Sequence, residues 1–208
     1  MGFLHHNLEP VAEPIALFDQ FVSQEPQTLI LKEKVLSVTG DSFDVKLTSG
    51  QTLLKVHGAW VSISDRKKVE DASGTHLFDI VKEHFHLHTT YAMEDTHKKK
   101  FAEVKNALKQ LIQNGSLVVG SKATATFTDR NDRVSTFTMK GGWFDHSADI
   151  VNQKNGQSVA RIDRKLLTGR DLLFGQQTYA VTVAPGVDAA LIAALCICFD
   201  EKNNEDKD

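Results

Sequence analysis

Three histidines alternate along H-F-H-L-H-T-T-Y, at His84, His86 and His88. Residues two apart in a strand share one face, so the three imidazoles would line up. Such a row can ligate zinc, with Asp95 or His97 as further donors. The same alternation also suits a polar, solvated strand face opposite Phe85 and Leu87. That second reading is favoured, and neither a metal nor a cofactor is expected. D-R-N-D-R-V, from Asp129 to Val134, resembles the start of a calcium loop. Val134 stands where that loop needs glycine, and Lys140 where it needs a bidentate glutamate, so a hairpin turn explains the segment better. The two cysteines, Cys196 and Cys198, lie in an apolar run. On a helix they would project to nearly opposite sides and cannot bridge each other. Burial would also remove them as nucleophiles. No nucleophile elbow, phosphate loop or paired-carboxylate motif is visible, and no catalytic residue is expected.

Basic side chains offer binding chemistry instead. They cluster at Arg66, Lys67 and Lys68, at Lys98, Lys99 and Lys100, and at Arg161, Arg164, Lys165 and Arg170. If two clusters converge they could hold an inositol phosphate at an anionic membrane, at about 1 kcal/mol per charge. The alternative is ordinary solvated loops. Lysine plus arginine is 24 against 27 acidic residues, a formal charge of −3. That argues against nucleic acid as the main partner.

The elements that must position these residues are mostly strands. S-G-Q-T-L-L-K-V (Ser49 to Val56) is echoed by S-G-T-H-L-F-D-I (Ser73 to Ile80) and, more loosely, by N-G-Q-S-V-A-R-I (Asn155 to Ile162). Each follows a β-prone run, and glycine at the tip permits positive φ, so the spacing predicts three hairpins. Further strands are expected over Thr28 to Val38, Ala59 to Ser64, His84 to Tyr91, Trp143 to His146 and Thr178 to Val183, and on both sides of the Asp129–Arg133 loop. Short strands at this spacing indicate a sandwich or barrel. One segment breaks the pattern: Phe101, Val104, Leu108, Leu111 and Ile112 fall at helical spacing before Asn114-Gly115. They predict a short amphipathic surface helix.

The unbroken apolar run from Ala189 to Phe199 decides the architecture. A spanning helix needs about 20 apolar residues, so this run is too short for a membrane and suits a buried core helix. Pro185 and Gly186 supply the turn before it, and Asp188 suits the helix N-terminus. A helix apolar on all sides must be surrounded on all sides. Here only strands can do that. Asp188, Ala190, Leu191, Ile192, Ala194, Leu195, Ile197 and Phe199 are therefore expected to form a central helix inside a closed sheet. At the other end, Asp200 and Glu201 oppose the helix dipole, with only Lys202 to offset them.

Residues 12–201 read as one domain, with loose ends at 1–11 and 202–208. Two thiols without a disulfide framework suit an intracellular, cytoplasmic setting, with room for peripheral membrane or nuclear association. The start of the chain lacks a signal core, and His6 stands where a myristoylation signal wants serine or threonine.

The stretches V-E-D-A-S-G-T-H-L-F, the text at His86 to Thr90, K-G-G-W-F-D-H-S-A-D-I and V-A-P-G-V-D-A-A-L-I-A-A-L-C-I-C-F-D-E resemble the LURP-one-related proteins. These share their fold with Tubby C-terminal domains and phospholipid scramblases. The resemblance covers about residues 12 to 201. It implies a twelve-stranded antiparallel barrel threaded by the C-terminal helix. It also implies a strand near Phe101 to Lys105, against the helical spacing. Plant members of the family are linked to pathogen defence; Tubby domains bind phosphoinositides and scramblases move lipids. No residue-level motif carries these activities across. The expectation is a non-enzymatic intracellular module for an anionic lipid headgroup or a protein partner, in signalling or in stress and defence responses. A scramblase-like lipid-transfer protein, or a small-ligand or metal protein built on the histidine strand, are the alternatives.

Overall fold

The computed structural model describes residues 8–34, 42–58, 66–83, 90–107, 122–141, 147–163 and 178–205. The strands are β1 (Gln27–Lys34), β2 (Ser42–Leu47), β3 (Thr52–Gly58), β4 (Arg66–Asp71), β5 (His76–Glu83), β6 (Thr90–Glu94), β7 (Lys100–Ala107), β8 (Lys122–Thr128), β9 (Val134–Lys140), β10 (Ser147–Asn152), β11 (Ser158–Asp163) and β12 (Thr178–Val183). One helix, α1 (Ala189–Glu205), follows them. Every strand pairs with its sequence neighbours, and β1 pairs with β12 to close the barrel. All the pairings are antiparallel.

The pleat sorts the side chains by polarity. Leu29 and Leu31, Phe43 and Val45, Leu54 and Val56, Phe78 and Ile80, Tyr91 and Met93, and Phe137 and Met139 are buried. Residues between them carry charge: Lys32, Asp44, Lys55, Glu70 and His76 are successive cross-strand partners from β1 to β5. Alternating signs at directly opposed positions stabilise the pairing. The charged face is outside and the apolar face inside, the reverse of a barrel that spans a membrane.

α1 fills the interior. Ala189 to Phe199 are all buried, and none is more than 1% exposed. This is the axle expected from the apolar run. Burying Leu191, Ile192, Leu195, Ile197 and Phe199 contributes about 1.5–3 kcal/mol each. Among the described residues no helix is long and apolar enough to cross a membrane.

At one end of the barrel tight turns join β2 to β3, β4 to β5, β6 to β7, β8 to β9 and β10 to β11. All three expected hairpins stand here, with positive φ at Gly50, Gly74 and Gly156. At four of these turns a side-chain oxygen of Asp71, Asp95, Asp129 or Asn152 accepts backbone N–H groups of the turn itself. The β6–β7 turn places Lys98 at φ 64. A lysine in the left-handed region is strained where glycine is not. Lys98→Gly should raise stability by about 0.5–1 kcal/mol in chemical denaturation. Asp132, at φ 58 in the β8–β9 turn, should gain less from the same change, because aspartate tolerates this region better.

Residues 35–41, 59–65, 84–89, 108–121, 142–146 and 164–177 lie outside the described residues. So do the expected strands over Ala59 to Ser64 and Trp143 to His146.

Two expectations change. The segment read as helical from Phe101 begins as strand β7, as the family resemblance implied; residues 108–112 lie outside the described part. Ala102 and Val104 face the core, while Phe101 packs edge-on against Phe78 at 5.8 Å. The β6–β7 register shifts here, from Met93 opposite Ala102 to Glu94 opposite Lys100, so Phe101 and Val104 both pack on the core three residues apart and imitate a helical period. At the N-terminus, Leu8 is buried and Val11 packs on the core, although both fall within residues 1–11, the span expected to be loose. Residues 8–26 form a strap across the turn end of the barrel. Ile15 makes a parallel bridge to Val187, and Val22 an antiparallel one to Asp188.

Candidate functional site

The three basic clusters meet different fates. Along β4 the side chains alternate, so Arg66 and Lys68 lie on the outer wall while Lys67 turns inward. Lys67 Nζ is 3.0 Å from Glu201 Oε1 and lies 5.9 Å from the centre of the Phe43 ring. It meets the C-terminal part of α1, where a cation offsets the negative pole of the helix. This supplies the missing partner for the acidic helix end. Lys67 thus faces the helix and not the outer wall.

Arg66 lies across the outer wall. Its guanidinium donates to Asp79 Oδ2 at 2.6 Å and to Glu94 Oε2 at 2.8 Å. His76 Nε2 is 2.9 Å from the other oxygen of Asp79. Register explains this convergence: Asp79 pairs with Glu94 across β5 and β6, and Arg66 pairs with Val81, one outward position away. Burial pulls the Arg66 pKa down, but the bonds to Glu94 and Asp79 outweigh it and hold the value above its ordinary level.

Lys100 stands on the same wall. Its Nζ contacts Glu83 Oε1 at 3.0 Å and Glu103 Oε2 at 2.6 Å. Glu103 also pairs with Lys105. Burial opposes the Lys100 charge, yet Glu103 and Glu83 raise its pKa. Glu103 is correspondingly lowered: burial pushes it up, and the bonds from Lys100 and Lys105 prevail. Small Ala92, the cross-strand partner of both Val81 and Glu103, leaves room for long side chains to cross.

The remaining candidates divide. Lys68 pairs with Glu70 at 2.7 Å, and Glu70 is also 3.3 Å from His57. Arg161 Nε donates to Asp149 Oδ1 at 2.7 Å. Lys98 and Lys99 are exposed in the β6–β7 turn. Arg164, Lys165 and Arg170 lie outside the described residues, as do His84, His86 and His88. Asp95 and His97, the proposed extra metal donors, sit beyond the far end of β6. Asp95 Oδ1 instead accepts from the His97 and Lys99 amides. Among the described residues no group of three or more His, Cys, Asp or Glu could hold a metal.

The structure thus brings Arg66 and Lys100 onto one wall, and places Asp79, Glu83, Glu94 and Glu103 among them. Reasoning from sequence missed these four carboxylates. Asp79 and Glu83 carry a period-two signal, but only register shows which cations they meet. Beside this mosaic, Lys100, Phe101, Glu103, Thr126 and Thr128 line a shallow open depression of about 210 Å³. The Asp129–Arg133 loop is a hairpin turn, as expected. Asp129 Oδ1 accepts from the Asn131 and Arg133 amides, and Oδ2 from the Arg133 guanidinium.

The chain has recognisable relatives. The profile of the family described as LURP-one-related matches residues 27–200. Protein LURP-one-related 10 of Arabidopsis thaliana is 27% identical over 190 residues, 90% of this chain and 96% of that protein. Protein LURP-one-related 15 of the same plant is 23% identical over 203 residues, 95% of this chain and 90% of that one. An X-ray structure of a protein from Arabidopsis thaliana superposes with a TM-score of 0.57 at 18% identity, over 91% of this chain and 99% of its own. At that identity the match speaks to the fold alone.

Proposed function

Since the chain belongs to the LURP-one-related family, we propose that it is a non-catalytic binding module whose charged outer wall recognises a protein partner. The observation that carries this reading is the ion-pair mosaic of β4 to β7. A phosphate headgroup needs cations with uncompensated charge. Arg66 and Lys100 each share theirs with two carboxylates. Those carboxylates would also repel a phosphate. A protein surface of alternating charge suits such a wall, where charge gives specificity more than raw affinity. The family resemblance adds signalling or stress and defence as the setting.

Two measurements test this. With vesicles of phosphatidylcholine, alone or mixed with phosphoinositides, pelleting at low salt should not depend on the phosphoinositide. Phosphoinositide-dependent pelleting that salt abolishes would favour the lipid reading and direct attention to Arg164, Lys165 and Arg170. In affinity capture from the source cells, a partner should be retained by the wild type and lost by the double variant Glu83→Lys, Glu103→Lys. Identical capture by both proteins would remove the outer wall from the function.

A further inference from the structure

We propose that the turn end of the barrel is a peptide-binding groove, filled in the monomer by the protein's own N-terminal strap, and that the strap of a second copy can take its place. The strap is bound as a ligand would be. Along P-G-V-D, the Val11 N–H donates to Pro185 O and the Ile15 N–H to Gly186 O. The Gly186 N–H donates to Ser23 O and the Asp188 N–H to Ile15 O. The Leu17 and Phe18 amides donate to Asp188 Oδ2 at 2.9 and 2.8 Å. Backbone bonds to an extended segment combined with side-chain pockets are the mode by which sheets capture peptides.

The pockets are apolar. Leu8, Ile15, Ala16 and Phe21 are buried, and Phe18 stacks on Phe78 at 6.0 Å. The rim complements the strap in charge. From Leu8 to Pro26 the strap carries Glu9, Glu13, Asp19 and Glu25 and no basic residue. Arg130 pairs with Asp19, and Arg133 with Glu13 and the Pro14 carbonyl. Gln157 Nε2 donates to the Glu9 and Pro10 carbonyls. These partners come from the β8–β9 turn, the β10–β11 turn and the start of α1, all remote from the strap in sequence. An identical strap from another copy would find the same set.

The strap also has a hinge. Gln24, Glu25 and Pro26 are exposed, and β1 begins at the next residue. The family match begins at the same point, residue 27. Exchange of an identical element between copies replaces like contacts with like, so the hinge and the effective concentration of the tethered strap decide the outcome.

The test uses the full chain with a specific protease site placed at Gln24–Glu25. After cleavage, a labelled peptide of residues 8–24 should exchange saturably into a barrel that keeps its near-ultraviolet circular dichroism. The same peptide carrying Phe18→Asp should bind at least about tenfold more weakly, because a charged carboxylate replaces the half-buried ring that stacks on Phe78. A strap that stays locked against excess peptide would overturn the proposal. So would unfolding of the barrel when the strap leaves, because the strap would then be core rather than ligand. In the uncut chain, deleting Gln24 and Glu25 should convert monomer to dimer by light scattering; a folded monomer would also overturn it.

Discussion

Asp188→Ala should cost about 3–5 kcal/mol, a large share of the 5–15 kcal/mol that holds a typical domain together. Asp188 is wholly buried, and both its oxygens are used. Oδ1 accepts from the Ala190 and Leu191 amides at 2.8 and 3.1 Å, capping α1. Oδ2 accepts from Leu17 and Phe18 in the strap. Alanine would leave all four N–H groups without this acceptor at the core boundary. Asp188→Asn should recover only part of the loss, since its amide nitrogen must face two donors. Urea denaturation of the three proteins checks the ranking. Equal stability of wild type and Asp188→Ala would show that the cap is dispensable.

The pH dependence follows from direction. Burial pushes the Asp188 carboxyl up, against the pull of its four N–H donors. A raised folded value means the folded state holds the proton more tightly than the unfolded chain does. This group's contribution is therefore fully present below the ordinary carboxylate value and declines as pH rises through the folded one. Asp129 behaves oppositely. Burial pushes it up, but the Arg133 guanidinium and the loop amides prevail and hold it below the usual range. Its contribution is present above the ordinary value and is lost as pH falls through the folded one. Of these two groups, Asp129 and not Asp188 should therefore contribute to a loss of stability in acid, which urea denaturation of wild type and Asp129→Asn across pH checks.

The second large effect is Ala190→Arg, which should abolish soluble folding. Ala190 lies inside the barrel at 0% exposure. A guanidinium there has no room, and overpacking alone costs about 1–3 kcal/mol. Removing its charge from water without a partner costs several more. Lys46→Arg on the outer wall serves as the control and should be neutral. Soluble yield and near-ultraviolet circular dichroism report the result. A scramblase-like protein whose helix leaves the barrel for a bilayer would tolerate the change in solution. A folded, soluble Ala190→Arg variant would therefore revive that reading. The Lys67–Glu201 contact at the end of α1 stands against it.

The core of this fold was legible because it depends on composition along the chain. An apolar run with no polar face has one soluble solution, a complete surround, and hairpins with glycine tips can build it. Strands β8, β9 and β12 stand where alternation put them. The start of β7 was misread because Phe101 and Val104 have helical spacing whichever neighbours they meet. What local order could not contain was partnership between distant residues. Arg66 looked like a free cation beside Lys67 and Lys68. Only the stagger of β4, β5 and β6 brings Asp79 and Glu94 to it, and only the pleat turns Lys67 inward to Glu201. Asp188 was legible as a helix start, but not as the anchor of a strap some 170 residues earlier. Burial propensity belongs to each residue and survives in the sequence. Charge compensation belongs to pairs, and antiparallel register in a closed barrel is what chooses them.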